Sequence, residues 1–353
     1  MVQSEPFLDP EGQYLLRLSS PPCAGCRYGQ DGRCSGPQTV ESLLPNQGNL
    51  LSCFDTGRTM AVRASMESRR STEPVPFPTI LGLPPGIPVL CSGIPKGTRL
   101  NPNRLYGISL SDLLDDYGHL KYGSGPEMRR AFRLPPNARV CLLASVQDDR
   151  LEVLWEESDI RAVWKRIRRL GFEFTTGFTH SVFERHSRSG QLLNQDRNLL
   201  TVELLAREGI PVVPVVCAVV EEDLRFVARW LDEHPSLSVV AGWAQGWKTD
   251  REFNRFLGRM KFLKEELHRP IRFLIVGSGA ADRIRTLYRE LQGVTVANTN
   301  FVLRGVHGQE WDQRQLRFVP APPEVSTTSL VPANSEDLYE LCAQCAQEVA
   351  GAA

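Results

Sequence analysis

Between residues 171 and 300, short apolar runs alternate with amphipathic helical stretches, and this rhythm constrains the fold more than any other feature of the chain. The runs are FEFTTGF, IPVVPVVCAVV, LSVVAGWA, RFLIVGSG and VTVANTNF. Between them lie helix-period stripes, Leu224/Val227/Ala228/Leu231, Phe253/Phe256/Leu257/Met260/Leu263 and Ile284/Leu287/Tyr288/Leu291. Strands joined through helices pair in parallel, and such crossovers are right-handed. The expected fold is α/β, a (βα) barrel-like parallel sheet, with an open doubly wound sheet as the alternative. In either architecture ligands sit beyond the carboxyl ends of the strands, so the residues that end each run form one candidate site.

Upstream, LYGISLSDLLDDYG reads as a strand or turn followed by a helix, ARVCLLASV (138–146) as a buried strand, and LEVLWE as a short strand or a helix entry. ESDIRAVWKRIRRLG places Ile160, Val163, Trp164, Ile167 and Leu170 on one helical face, and Gly171 ends it. Residues 1–100 are rich in Pro, Gly and Ser and show no sustained period, which reads as an irregular arm. The division is then an arm at 1–100, a barrel-like domain at 101–325, and a connector with a C-terminal helix at 326–353. That last helix is expected to be capped by Asn334 or Ser335.

Charge and hydropathy remove several function classes. Among 353 residues, 41 basic and 41 acidic side chains balance, so no global basic field draws in a polyanion. The longest apolar run is far too short to span a bilayer, and MVQSEPFLDPEGQ has no secretion-signal pattern, so a cytoplasmic protein with no membrane partner is expected.

Four of the nine cysteines crowd together as Cys23, Cys26, Cys34 and Cys53. In a reducing compartment such spacing suggests thiolate ligands around a single zinc, with a 4Fe-4S cluster as the alternative. Cys342 and Cys345 lie in a helical run, and Cys91, Cys141 and Cys217 in apolar surroundings, so these read as core.

At the strand ends, the polar segment 174–198 leaves a strand at Thr176, carries His180 and re-enters a helix around Asp196, Arg197 and Asn198, the last a candidate ligand-binding residue. His180 is a candidate base, Arg197 a candidate anion clamp, and Thr176 a third candidate catalytic group. Trp243, Gln245 and Trp247 follow one strand, and Asn298 and Asn300 end another. Paired indoles with amides suit a planar ring such as a nucleobase. The turn Gly277-Ser278-Gly279 between RFLIV and a helix offers backbone N–H groups to an anion. The ligand class expected is a nucleotide or nucleic-acid base, bound with or without catalysis. A non-catalytic, metal-stabilised binding component for a protein or nucleic-acid partner is the alternative.

The order FTTGFTHSVF, Asp196-Arg197-Asn198, GIPVVPVV (209–216) and LIVGSG (274–279) resembles the phage- and plasmid-associated domain-of-unknown-function family DUF4417 across residues 174–282. The first pattern reads Thr-Gly-Phe-Thr where that family has Pro-Asp-Phe-Ser. The resemblance implies a (βα)-type domain in mobile-element or defence biology and supplies no activity. A more distant, purely architectural likeness is to base-exchanging transglycosylase barrels, whose paired aspartates have no matching positions here.

Overall fold

The structure is a computed structural model, which describes residues 65–352 apart from 71–72, 81, 157–159 and 183–187. At its centre stand eight parallel strands: β1 (Gly86–Leu90), β2 (Leu105–Ser109), β3 (Arg139–Leu143), β4 (Phe174–Thr176), β5 (Val212–Val213), β6 (Val239–Trp243), β7 (Arg272–Val276) and β8 (Val294–Asn298). Their order, β5-β4-β3-β2-β1-β8-β7-β6, is the cyclic order of a barrel. A single bridge spans the remaining gap, where Ala241 N donates to Pro214 O (2.8 Å) and Val216 N to Ala241 O (2.9 Å). The sheet is therefore a nearly closed barrel rather than an open one.

β5 is short because prolines flank it. Pro211 and Pro214 lack an N–H to give the ladder, but their carbonyls accept from Thr175 and Ala241. Inside the barrel the alternate residues Ile87, Val89, Leu105, Cys141, Leu143, Phe174, Val213, Val239, Ala241, Leu274, Val276 and Ala297 make one apolar cluster. The opposite strand faces, including Leu90, Ile108, Val140, Leu142, Val240, Phe273, Ile275 and Val296, join the helices in a second layer. Period-two alternation with both faces buried produces this double core.

The outer helices include Asp148–Glu156, Ile160–Leu170, Arg188–Arg207, Glu221–Glu233, Asp250–Glu266, Ala281–Leu291 and Asn300–Val306. An antiparallel hairpin follows, β9 (Gln309–Asp312) with β10 (Arg317–Pro320). Then comes the helix Thr327–Ala352, which packs against β1, Ala281–Leu291 and Asn300–Val306. Its approach to β1 is close: a Cβ on Gly86 would lie 3.2 Å from Leu338 O and 3.2 Å from Tyr339 Cα. Among the described residues no helix is long and apolar enough to cross a membrane.

Three local readings of the sequence change. GIPVL, within the stretch read as an irregular arm, is β1, with all five residues buried between β2 and β8. LEVLWE belongs to the Asp148–Glu156 helix. The C-terminal helix starts at Thr327, so Asn334 and Ser335 are interior positions rather than caps. Pro332, the sixth residue of this helix, lies inside it and lacks the N–H that would otherwise reach Thr328 O. Asn334 instead ties the helix to its neighbours, donating to Phe301 O (3.1 Å) and Gln309 O (2.9 Å) and accepting from Trp311 N (3.1 Å).

Candidate functional site

At the carboxyl ends of the strands the barrel opens into a cavity of about 620 Å³. Its floor is apolar, made by Val89, Leu143 and Val276. Its walls are polar: Ser109, Ser111 and Asp112 after β2, Ser145, Gln147 and Arg150 after β3, and Ser181 after β4. Trp243 and Gln245 at β6 and Thr299 after β8 complete them.

Each wall is set by local hydrogen bonding. Ser109 ends β2 and caps the Leu110–Leu113 turn, accepting from Ser111 N (3.3 Å), with the two hydroxyls 2.9 Å apart. Asp112 follows in that turn. Burial pushes its carboxyl above the ordinary value, while the hydroxyl and N–H of Ser92 and the charge of Lys121 act in the opposite direction. Among the described residues it is the only carboxylate lining the cavity, and Arg150 the only cation.

The segment after β4 is held from behind by the Arg188–Arg207 helix. Asn194 Nδ2 donates to Ser181 O (2.8 Å) and Thr201 Oγ1 to Phe178 O (3.3 Å). Asn198 brackets His180, accepting its N–H (2.7 Å) and donating to its carbonyl (3.0 Å). Ser181 in turn donates from its N–H and its hydroxyl to Asp148 Oδ1, both at 3.0 Å. The helix starts eight residues before Asp196, so Asp196, Arg197 and Asn198 lie well inside it rather than at its entry. Gln191, Gln195, Asp196, Arg197, Asn198 and Thr201 are buried in its middle, so it lacks the apolar stripe by which a helix is usually read.

The residues singled out from sequence separate into two groups. Trp243 and Gln245 line the cavity. Trp247 does not: its indole N–H donates to Trp243 O (3.0 Å) and its ring packs on the outer core, so no pair of indoles flanks a ligand. Thr176 is fully buried and its hydroxyl accepts from Ala144 N (2.7 Å), fixing β3 against β4. Arg197 is not a free clamp. It makes two bonds to Glu152, at 2.8 and 2.9 Å, and stacks 4.7 Å above the Trp155 ring.

His180 sits against the edge of the same Trp155 ring, and its Nδ1 has no hydrogen-bond partner. Burial, then the Arg197 guanidinium, pushes its imidazole down to about 3, so it is neutral at physiological pH, and His180 is not among the residues that line the cavity. Its role as a base is not supported by this placement.

The glycine turn is shaped by close packing. Gly277 has φ +97°, and a Cβ there would fall 2.7 Å from Gln245 Cα. On Gly279 a Cβ would collide with the Asn300 amide. Asn298 is buried, donates to Ser278 O and accepts from Asn300 N (2.6 Å), so it spans the β7 and β8 turns rather than reading a ligand edge. Asn300 is exposed at the start of the next helix.

Cys141, Cys342 and Cys345 are buried in the core, with Cys91 and Cys217 partly buried against it. Burial holds the Cys217 and Cys342 thiols up at about 12, which keeps them protonated and inert. Cys23, Cys26, Cys34 and Cys53 lie outside the described residues; among the described residues no cluster of His, Cys, Asp and Glu is arranged to hold a metal.

Ser109, Ser111, Asp112, Ser145, Gln147, Arg150, Ser181 and Thr299 escaped the sequence reading. The signal is present for most of them, since Ser109 ends LYGIS with Ser111 and Asp112 just after it, and Ser145 and Gln147 follow RVCLL after a single alanine. The rule that strand ends carry the site extends to these earlier strands as it does to those after residue 170. Compared with known protein families and with curated proteins, the chain finds no match, so its architecture is established by its own barrel alone.

Proposed function

We propose that this protein binds a nucleobase-type ligand, as a nucleoside or nucleotide, in the mouth of its barrel. The observation that carries this reading is the composition of the cavity wall. One indole face, two carboxamides that each both donate and accept, several hydroxyls and one carboxylate stand over an apolar floor. A flat heterocycle with alternating donors and acceptors on its rim matches such a wall. A saturated or purely apolar ligand would leave the polar groups without partners, at a cost of about 1–3 kcal/mol for each one buried.

Within this reading Trp243 stacks on the ring, Gln147 and Gln245 pair with its edge, and Asp112 accepts ring or amino N–H groups. The residues behind Ser181, namely Asn194, Asn198 and Asp148, hold the wall in place. The mobile-element or defence setting implied by the DUF4417 resemblance belongs to the same proposal, as does zinc on Cys23, Cys26, Cys34 and Cys53. The test is calorimetric titration of the full chain with a panel of free bases and nucleosides, together with Gln245→Ala and Asp112→Asn. Saturable binding weakened at least about tenfold by either substitution supports the reading. A panel that gives no binding to correctly folded protein overturns it.

A further inference from the structure

We propose that Arg150 forms an anion subsite in the cavity, and that the ligand therefore carries a phosphate monoester or a carboxylate beside its ring. The inference rests on the reading of the cavity as a base-binding site and specifies the ligand further.

Among the described residues, three groups near the strand ends have the chemistry to hold an anion, and two are committed elsewhere. Arg197 is buried and doubly bonded to Glu152. The Gly277-Ser278-Gly279 turn is filled by its own neighbours, Gln245 against Gly277 and Asn300 against Gly279. Arg150 differs from both. Its side chain lines the cavity and is 25% exposed, and its ion pair is a loose one, 3.6 Å from the carboxylate of Asp116, itself 99% exposed. A pair that exposed is screened by solvent and contributes little, so the guanidinium can exchange Asp116 for a ligand at small cost.

The surroundings also favour an anion at this corner. The carboxylates in the same first helical turn are already occupied, Asp148 by the N–H and hydroxyl of Ser181 and Asp149 by the N–H of Arg150 at 2.9 Å. Ser145 and Gln147 enter the wall from the same β3 loop and add neutral donors. The planar fork of arginine matches two oxygens of a phosphate or carboxylate, which an ammonium does not.

The experiment compares adenosine, guanosine, cytidine and uridine with their 5′-monophosphates, and with ribose 5-phosphate and inorganic phosphate, on wild type, Arg150→Gln and Arg150→Lys. Wild type is expected to bind a monophosphate at least about tenfold more tightly than its nucleoside. Arg150→Gln removes that preference and leaves nucleoside affinity unchanged, and Arg150→Lys recovers it in part. Equal affinity for nucleoside and monophosphate in wild type, or a preference that survives in Arg150→Gln, overturns the inference while leaving base binding intact. Arg150-dependent binding of ribose 5-phosphate or phosphate, with no nucleoside bound, upholds the anion subsite and overturns the base reading. No binding in any arm overturns both.

Discussion

Asp223 offers the sharpest test of how this site is held. Its carboxylate meets Arg188 with two bonds, Oδ1 to Nη2 at 2.6 Å and Oδ2 to Nη1 at 2.9 Å, and both side chains are almost wholly buried. Oδ2 also accepts the N–H groups of Val219 (3.2 Å) and Val220 (3.4 Å) at the entry of the Glu221–Glu233 helix. Asp223→Ala leaves a guanidinium inside the protein without its counter-charge, which costs about 3–5 kcal/mol. Loss of the helix-entry acceptor adds of order 1 kcal/mol. Replacing both partners, Arg188→Met with Asp223→Leu, removes the uncompensated charge and is expected to lie within about 2 kcal/mol of wild type. The two single substitutions are therefore strongly non-additive, with a coupling of at least about 2 kcal/mol. Urea unfolding followed by tryptophan fluorescence and circular dichroism measures each variant. A loss below about 1 kcal/mol for Asp223→Ala, or additive single and double variants, refutes the reasoning that this pair pins the start of the Arg188–Arg207 helix.

Three further outcomes can be checked. Gly277→Ala combines positive φ with overlap on Gln245, so it should destabilise by about 1–3 kcal/mol, whereas Gly246→Ala, which meets nothing within 4 Å, should be nearly neutral; parallel thermal melts decide. The His180 imidazole is held down to about 3 in the fold but titrates near its ordinary value when unfolded, so the unfolded chain takes up the proton first as pH falls. The stability that neutral His180 contributes is complete above about pH 6.5 and drains away toward pH 3, so unfolding midpoints of His180→Phe should fall less steeply than wild type over that window. If the cysteine reading is right, elemental analysis returns about one zinc per chain, and the quadruple Cys→Ser variant of Cys23, Cys26, Cys34 and Cys53 returns none; a metal-free wild type ends that reading.

The sequence carries the barrel legibly wherever period-two runs alternate with amphipathic helices, as at β6 to β8. It is less legible where a different physical constraint rules. GIPVL looks like part of a Pro- and Gly-rich arm because its flanks are turn-forming, and only its pairing with β2 and β8 reveals a central strand. The Arg188–Arg207 helix conceals itself because its buried face is polar, satisfied by loop carbonyls and ion pairs that no local pattern encodes. The same concealment misdirects the site reading. Arg197, Asn198 and His180 have the composition of a catalytic loop, yet they serve as the scaffold behind Ser181. Trp243 and Gln245 were readable because they stand immediately at a strand end. Asp112 and Arg150 lie in the helical turns that follow β2 and β3, and it is the closure of the barrel that brings them into one cavity.

The Thr327–Ala352 helix has a consequence for the order in which the molecule is made. It covers β1, with Arg104 bonded to Glu336 at 2.6 Å and stacked 3.5 Å over Tyr339, so one of the earliest strands of the barrel is sheltered by one of its latest helices. Contacts of such long sequence separation form slowly. Until residues 327–352 have emerged, the part of the outer face of β1 that this helix covers stays open, although the Asn300–Val306 helix already packs on the same strand, and the growing barrel carries an apolar seam there. The ligand mouth draws its walls from strands on both sides of that seam, β2 and β3 on one and β6 and β8 on the other, so it cannot be complete before Thr299 has emerged.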